Sequence, residues 1–271
     1  MTVPAPSTLQ AEGLSLGYGD RRVVTDLTLE IPRGKVTVIV GPNACGKSTF
    51  LRGLARLLPP SAGAVLLDGK SIHAAPSREV ALKLGILPQG PIAPDGITVT
   101  DLVSRGRHPH QGMFRRWTAD DDNAVAAALS ATGTLELAAR GVDELSGGQR
   151  QRVWIAMALA QRTGILLLDE PTTYLDVTHQ VEVLDLLVDL NEAEGATVVM
   201  VLHELNLAAR YADHLIVMKS GAVVTAGEPS AVLTESVVEE VFSMRCRVVP
   251  DPVSRTPMIV PIGRHRSGDA R

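Results

Sequence analysis

The octapeptide GPNACGKS at Gly41–Ser48 constrains the fold of this chain more than any other segment. It matches the pattern G-x-x-x-x-G-K-[ST], whose glycines allow backbone N–H groups to curl around phosphate oxygens without obstruction by a Cβ atom. The valine- and isoleucine-rich run Val36–Val40 before it predicts a strand buried on both faces. Apolar residues at helical spacing follow in Lys47–Leu58, and Pro59 and Pro60 predict the end of that helix. The octapeptide therefore has the strand-before, helix-after context of a phosphate-binding loop.

This loop predicts a nucleotide site with a bound metal ion. The following helix directs its positive N-terminus at the phosphates, Lys47 can neutralise the β and γ phosphates, and the Ser48 hydroxyl can bind Mg²⁺. A glycine-rich turn that precedes a helix by chance is the alternative. A bulky thiol reagent at Cys45 is expected to block nucleotide binding, unless this thiol is buried and inert. The loop residues expected to bind nucleotide are Gly41, Pro42, Asn43, Ala44, Cys45, Gly46, Lys47, Ser48 and Thr49.

Two adjacent carboxylates, Asp169 and Glu170, follow the apolar run Ile165–Leu168. Functional groups in open α/β sheets gather at the carboxyl ends of strands, which is also where the phosphate loop lies. Asp169 could hold Mg²⁺ through water, and Glu170 could act as the general base that polarises an attacking water. The alternative is a strand that ends in two solvated acids before Pro171.

The remaining pattern predicts a layered α/β fold. The apolar run Thr197–Leu202 predicts another buried strand, and a helical pattern at Gln180–Leu190 precedes it. Strand, helix and strand in this order indicate a sheet that is mostly parallel in its centre. From about residue 91 to 162 the strand signal is weak, so we expect a helical subdomain inserted into the sheet domain. Further predicted elements are helices at Asp120–Ala131 and Gln149–Gln161, a hairpin of Leu215–Met218 with Ala222–Thr225, and a flexible tail at residues 264–271.

Composition argues against several classes of protein. The net charge is −4 and the aromatic residues are few (three Phe, three Tyr, two Trp), which argues against nucleic-acid binding through bulk electrostatics or base stacking. The two cysteines, Cys45 and Cys246, cannot build a disulfide framework, which is typical of a reducing compartment. The longest run without Asp, Glu, Lys or Arg, Asn123–Leu135, is shorter than the roughly 20 residues of a membrane-spanning helix. No signal-peptide pattern precedes Arg21, the first basic residue, so we expect a cytoplasmic chain.

The segment LSGGQ at Leu145–Gln149, followed by RQRVWIAMALAQ, resembles the signature of ATP-binding cassette (ABC) ATPases. The other motifs agree with this family in order and spacing from about Leu9 to Pro261. The resemblance implies a P-loop NTPase of the α/β class, with a mostly parallel central sheet, an N-terminal antiparallel β portion and the inserted helical subdomain. It also implies a single ATPase domain, residues 9–261, that hydrolyses ATP with Mg²⁺ as the metal ion.

The same resemblance implies roles for further residues. Tyr18 would stack on adenine, Gln89 would contact Mg²⁺ and couple to a partner, and His203 would lie near the γ-phosphate. Asp176 would communicate across a dimer. Taken alone, Tyr18 would be an ordinary turn residue as readily as an adenine contact, and His203 would more often be a hydrogen-bonded histidine at a strand end. The implied catalytic residues are Lys47, Glu170, Asp176 and His203, and the implied metal ligands are Ser48, Gln89 and Asp169.

The signature residues Ser146, Gly147, Gly148 and Gln149 place two glycines at a helix N-terminus, which is a second anion site. In the family this site faces the nucleotide of another subunit, so that two chains enclose two ATP molecules head to tail. The resemblance therefore implies a homodimer in which ATP bridges two copies and hydrolysis loosens the bridge.

A narrower resemblance is to the motor subunits of iron–siderophore importers, with cobalamin and haem importers as near relatives. It rests on RGRHPHQGMFRRW (Arg105–Trp117), VWIAMALAQ, LLLDEPTTYLD and VVPDPVSRTPMIVP. It implies separate membrane permease subunits, an extracytoplasmic substrate-binding protein, and a peripheral position on the cytoplasmic side of the cell membrane. A soluble cassette protein that acts on nucleic acid or ribosomes is the less favoured class, since those usually carry two cassettes or a long coiled coil. The basic residues expected to dock the permease, or alternatively to form a solvated basic face, are Arg105, Arg107, Arg115 and Arg116.

Overall fold

The computed structural model describes residues 7–111 and 116–263, which form three β-sheets and the helices that cover them. The strands are β1 (Leu9–Tyr18), β2 (Arg21–Ile31), β3 (Val36–Val40), β4 (Ala62–Leu67), β5 (Lys70–Ser71), β6 (Leu84–Leu87), β7 (Ile165–Asp169), β8 (Thr197–Val201), β9 (His214–Lys219), β10 (Ala222–Gly227), β11 (Cys246–Pro250) and β12 (Pro257–Pro261). The α-helices are α1 (Lys47–Leu54), α2 (Ser77–Lys83), α3 (Val99–Ser104), α4 (Ala119–Ala131), α5 (Gly147–Ala160), α6 (Val177–Glu194), α7 (Leu205–Tyr211), α8 (Pro229–Val232) and α9 (Glu235–Phe242). The predicted tail, residues 264–271, lies outside the described residues.

The largest sheet has six strands in the order β10-β9-β3-β8-β7-β6. All neighbouring pairs are parallel except β9 and β10, which form the antiparallel hairpin at one edge. Every residue of β3, β7 and β8 is buried, which explains why these strands appear in the sequence as continuous apolar runs. The predicted α/β class with a mostly parallel central sheet is confirmed.

The N-terminal part of the chain forms a second, antiparallel sheet in the order β2-β1-β4-β5. One apolar cluster, which includes Leu14, Ile39 and Leu54, fills the space between this sheet, α1 and one face of the large sheet. The predicted antiparallel portion is therefore present, and α1 lies buried between the two sheets.

The opposite face of the large sheet packs against the helical segment. Val38 of β3, Leu102 of α3 and Ile155 of α5 belong to a single buried cluster. Between residues 91 and 162, the described part contains α3, α4, α5 and short 3₁₀ helices and no strand longer than the single bridge between Thr98 and Gly141. Across residues 7–111 and 116–263, no helix combines the length and apolar character needed to span a membrane.

The helices α1 and α6 differ most from the bounds that the sequence pattern predicts. The helix α1 stops at Leu54 and not at Leu58, because the chain enters the left-handed region at Arg56 (φ 63°) before it reaches the prolines. The helix α6 is longer than predicted at both ends. The Asp176 carboxylate caps its N-terminus, and Gly195 ends it in the left-handed conformation (φ 65°).

For Arg107, the structure contradicts both interpretations of the basic segment. This residue is neither a docking residue nor part of a solvated face. Its side chain is only 2% exposed; its Nε donates to Asp121 Oδ1 at 2.9 Å and its Nη1 to the Ala160 carbonyl at 2.9 Å. Burial alone would raise the pKa of the Asp121 carboxyl, but hydrogen bonds from Arg107 and Thr118 hold it below the usual value. Arg107 thus fastens its 3₁₀ helix (Arg105–His110) to α4 and the end of α5. Arg105 and Arg116 are exposed, and Arg115 lies outside the described residues.

Candidate nucleotide site

Four neighbouring strands of the large sheet deliver the predicted residues to one edge. The loop Gly41–Ser48 follows β3, and His203 follows β8. Asp169 ends β7, with Glu170 directly after it, and Gln89 follows β6. Because these strands are parallel and adjacent, their carboxyl ends meet at the same side of the sheet, where ligands bind in open α/β folds. The topology therefore brings together residues as distant in the chain as Gly41 and His203, which are 162 positions apart.

The loop needs glycine at its first position. Gly41 has a φ of 156°, and a Cβ atom there would collide with the Met218 carbonyl oxygen and lie 2.7 Å from Cys45 Sγ. Gly46 caps α1 with a φ of 108°, and Ala44 also adopts the left-handed region (φ 61°). These turns wrap the backbone around the start of α1, where unpaired N–H groups and the helix dipole favour an anion.

Lys47 lies folded against the loop that carries it. Its side chain is 5% exposed, and its ammonium donates to the carbonyl oxygens of Gly41 at 2.9 Å and Pro42 at 3.0 Å. The positive charge is thereby held at the mouth of the loop, beside the N–H groups at the start of α1. A phosphate group in the loop would meet both.

A hydrogen bond joins the loop helix to the acidic strand end. Ser48 Oγ donates to Asp169 Oδ1 at 2.8 Å. Burial and the neighbouring Glu170 charge raise the pKa of the Asp169 carboxyl, although the Ser48 hydrogen bond and the cations Arg52 and Lys47 act in the opposite direction. A hydroxyl and a carboxylate form the oxygen donor set that Mg²⁺ prefers, so these residues fit that ion.

Glu170 is the most connected side chain of the site. Its Oε2 accepts hydrogen bonds from Gln89 Nε2 at 2.8 Å and Thr173 Oγ1 at 3.1 Å, and its Oε1 lies 2.6 Å from His203 Nε2. The backbone of Glu170 has a φ of 55°, in the left-handed region that non-glycine residues rarely adopt. Three segments therefore converge on one carboxylate whose side chain is 12% exposed.

The site opens into a cavity of about 480 Å³. Ten of the predicted residues line it: Tyr18, Asn43, Ala44, Gly46, Lys47, Ser48, Thr49, Gln89, Glu170 and His203. Arg21 and Val23 also line it, and sequence reasoning did not identify them or Thr173. Arg21 could have been identified from its position across the two-residue turn from Tyr18. The two residues are directly paired in the β1–β2 hairpin.

Three loop residues do not line the cavity, namely Gly41, Pro42 and Cys45. The Cys45 thiol is 5% exposed and belongs to the apolar cluster beneath the loop, together with Phe50 and Met218. Burial raises its pKa, although Lys47 and backbone N–H groups act against this. These observations favour the inert buried thiol over a reagent-sensitive position.

The signature residues lie in a different cavity. Ser146 Oγ accepts a hydrogen bond from the Gln149 backbone N–H at 3.3 Å, and Gln149 Oε1 accepts one from the Ser146 backbone N–H at 3.1 Å, so the pair forms a capping box at the start of α5. Ser146, Gly148, Gln149, Tyr174 and Asp176 line a cavity of about 240 Å³ that shares no lining residue with the first. Within one chain, the signature and the phosphate loop are therefore not brought together.

Asp176 lies on the signature side and not beside Glu170. Its Oδ1 accepts a hydrogen bond from the His179 backbone N–H at 3.0 Å and lies 2.7 Å from His179 Nδ1. These hydrogen bonds lower the pKa of the Asp176 carboxyl, which therefore stays ionised. Its side chain is 67% exposed, so the carboxylate faces the surface of the chain.

Comparison with known proteins agrees with this geometry. Residues 24–173, more than half of the chain, match the family model described as ABC transporter. The chain belongs to the ABC transporter family. ATP-binding subunits of this family hydrolyse ATP to drive transport.

Individual relatives align with this ABC subunit over nearly its full length. YusV of Bacillus subtilis (strain 168), which carries the name "Probable siderophore transport system ATP-binding protein", is 55% identical over 96% of this chain and 94% of its own. The ferric enterobactin transport ATP-binding protein FepC of Escherichia coli (strain K12) is 52% identical over 94% of each chain. The cobalamin import ATP-binding protein BtuD of Halobacterium salinarum is 40% identical over 97% of this chain and 66% of its own.

Among solved structures, a chain from a transporter described as metal-chelate type, in an inward-facing conformation, superimposes with a TM-score of 0.81. It is 28% identical and covers 96% of this chain and 98% of its own.

Proposed function

We propose that this ABC subunit is the ATP-hydrolysing motor of an importer for ferric siderophores. The proposed cargo class rests on sequence identity to two relatives, one named for siderophore transport (55%) and one for ferric enterobactin transport (52%). Each identity extends over 94% of the relative's length. Residues 9–261 form the single ATPase domain, and residues 91–162 form its helical subdomain. The motor works from the cytoplasmic side of the cell membrane, with separate permease subunits and an extracytoplasmic substrate-binding protein.

In this proposal the nucleotide lies along the first cavity. The backbone N–H groups of the loop and the Lys47 ammonium bind the phosphates, and Tyr18, which is 48% exposed, stacks on adenine at the far end. Ser48, Gln89 and Asp169 would hold Mg²⁺, which would neutralise phosphate charge. The hydrogen bond between Ser48 and Asp169 keeps two of these donors together.

Glu170 is the general base for hydrolysis. Its carboxylate accepts the proton of the attacking water, and the hydrogen bonds from Gln89 and Thr173 fix its orientation. His203 Nε2 lies 2.6 Å from the other oxygen of the same carboxylate. When nucleotide is bound, this nitrogen turns from Glu170 and donates to the γ-phosphate as negative charge develops there. Because Gln89 also contacts Glu170, a movement of its loop changes the position of the base.

The working unit is a head-to-tail homodimer. The signature residues at the start of α5 bind the γ-phosphate of the nucleotide held by the other copy, and Asp176 contacts that copy. The separation of the two cavities within one chain supports this arrangement, since each would be completed by a second copy. ATP then holds two chains together, and its hydrolysis releases them.

An importer of cobalamin or haem is the second candidate. The 40% identity to a cobalamin import subunit favours cobalamin within this class, but that relative is matched over only 66% of its length. A non-transport ABC ATPase that acts on nucleic acid or ribosomes is the third, and the net charge of −4 argues against it.

Uptake of labelled ferric siderophores tests the cargo, with labelled cobalamin in parallel. Cells carry either the wild-type chain or its Glu170→Gln form in place of the native gene. Loss of iron uptake with normal cobalamin uptake is the expected result. Normal iron uptake in the variant would contradict the siderophore proposal, and loss of cobalamin uptake instead would favour the second candidate.

A further inference from the structure

Arg21 is a cation in the nucleotide cavity that no role described so far accounts for. It begins β2 directly across the Gly19–Asp20 turn from Tyr18, and both side chains line the cavity of about 480 Å³. Residues opposite each other in an antiparallel pair lie side by side on one face. The neighbouring arginine, Arg22, is also exposed but does not line the cavity.

The guanidinium of Arg21 is unengaged in the part of the chain that the structure describes. No ion pair or hydrogen bond joins it to any residue of 7–111 or 116–263. The other cation that lines the cavity, Lys47, is held by the carbonyl oxygens of Gly41 and Pro42. Arg21 therefore offers free donors and an unneutralised charge to whatever occupies its end of the cavity.

The position of Arg21 along the cavity indicates which part of the nucleotide it meets. Val23 lies next to the loop, since a Cβ atom at Gly46 would be 3.4 Å from Val23 Cγ1. Arg21 is two residues further along the strand, roughly 6 to 7 Å farther from the phosphates. Together with its direct pairing to Tyr18, this step places the Arg21 backbone at the Tyr18 end of the cavity.

We propose that Arg21 binds the base of the nucleotide, with its guanidinium against the ring that Tyr18 stacks on. A planar, delocalised cation suits this role because it stacks on aromatic faces and donates to ring nitrogens in its plane. The inference rests on the proposed ATP site and adds a second base contact to it. Tyr18 supplies aromatic surface, and Arg21 supplies charge and hydrogen-bond donors.

Calorimetric titration of the full-length chain, without Mg²⁺ so that hydrolysis is absent, tests the assignment. Two probes are used, ATP and inorganic tripolyphosphate, which has the phosphates and no base. Arg21→Ala should weaken ATP binding about 3- to 10-fold and leave tripolyphosphate binding unchanged. Arg22→Ala is the matched control and should change neither, since it removes the same charge one residue away. Arg21→Lys keeps the positive charge but lacks the planar guanidinium group. We expect it to show most of the loss of ATP affinity that Arg21→Ala shows.

Several results would overturn the assignment. Equal weakening of ATP and tripolyphosphate by Arg21→Ala would make Arg21 a phosphate contact. Equal effects of Arg21→Ala and Arg22→Ala would indicate general electrostatics, as would full rescue by Arg21→Lys. If the wild-type chain binds neither probe, the proposed function itself fails, so the two failures are distinguishable.

Discussion

The two cavities of this ABC subunit differ in how deeply the chain encloses their side chains. At the phosphate loop, Lys47, Ser48 and Glu170 all make hydrogen bonds within the chain, between 2.6 and 3.1 Å long. At the signature, Tyr174 is 84% exposed and the Asp176 side chain 67% exposed, and both line a cavity half as large. One region holds its charged side chains, Lys47 and Glu170, largely buried. The other presents an aromatic ring and an ionised carboxylate to the outside.

From this difference we expect the loop cavity to determine ATP binding and the signature cavity to be needed for hydrolysis. In the proposed function the loop cavity binds nucleotide within a single chain, so substitutions there should change the ATP affinity of a single chain. The signature cavity is lined by residues at the start of α5 and by no residue of the loop, so we expect substitutions there to act only when two copies meet. Variants of the two regions should consequently fall into different kinetic classes.

The largest effect is expected from Glu170→Gln. Removing the carboxylate of the proposed general base should lower ATP hydrolysis about 100-fold or more, while ATP affinity changes little because the isosteric amide keeps the side-chain shape. Steady-state hydrolysis and equilibrium ATP binding measure the two quantities. Glu194→Gln, at the exposed end of α6, is the control and should behave as wild type. A variant that retains more than a few per cent of hydrolysis would remove Glu170 from its role.

Lys47→Ala should weaken ATP binding about 10- to 100-fold, because a charge-assisted contact to phosphate is lost. It also leaves the carbonyl oxygens of Gly41 and Pro42 without their donor. Titration with ATP measures the affinity, and Lys70→Ala, an exposed lysine of β5, controls for the loss of one positive charge. Unchanged affinity in Lys47→Ala would contradict the phosphate role of the loop.

Gly147→Asp should distinguish the signature cavity from the loop cavity most clearly, because we expect it to lower hydrolysis without changing ATP binding by a single chain. A Cβ atom at Gly147 meets nothing within 4 Å, so the variant should fold, and an acid in the first turn of α5 should not destabilise it. Its negative charge should repel a phosphate, lowering hydrolysis roughly 10-fold while single-chain ATP binding stays unchanged. Gly164→Asp, where a Cβ atom also meets nothing within 4 Å, is the control. Weakened ATP binding in Gly147→Asp alone would show that the signature contacts nucleotide within one chain.

The smallest effect is expected from thiol reagents. The Cys45 thiol is buried under the loop with a raised pKa, so labelling should be slow in the folded chain and hydrolysis should be unchanged during it. Mass spectrometry of labelled protein, with the unfolded chain as the reactive reference, measures the rate. Rapid labelling with loss of ATP binding would restore the expectation drawn from the sequence alone.

Much of the central fold could be predicted because its signals are local. The strands β3, β7 and β8 are buried on both faces, and their apolar runs fall within one residue of the observed bounds. The loop pattern likewise encodes its own backbone conformation, as the φ angles of Gly41 and Gly46 demonstrate. Local sequence and global fold agree at these positions.

The rest depends on contacts between distant segments. Nothing in the spacing of Gln89 and His203 indicates that both meet Glu170; only the resemblance to ABC ATPases placed them in one site. The burial of Arg107 has no sequence signal either, since a basic run ordinarily forms a solvated face and its partner Asp121 lies in the next helix. Arg21 could have been found from its position across the hairpin turn from Tyr18.

A mixing experiment tests most directly whether two copies complete each other's sites. Lys47→Ala chains, with an intact signature, are mixed with Gly147→Asp chains, with an intact loop, under conditions in which the wild type hydrolyses ATP. In a head-to-tail pair of the two variants, one of the two composite sites is intact. The account predicts that the mixture hydrolyses ATP faster than the sum of its separate components. A mixture no more active than that sum would contradict the head-to-tail arrangement, in which the loop cavity of one copy is completed by the signature of the other.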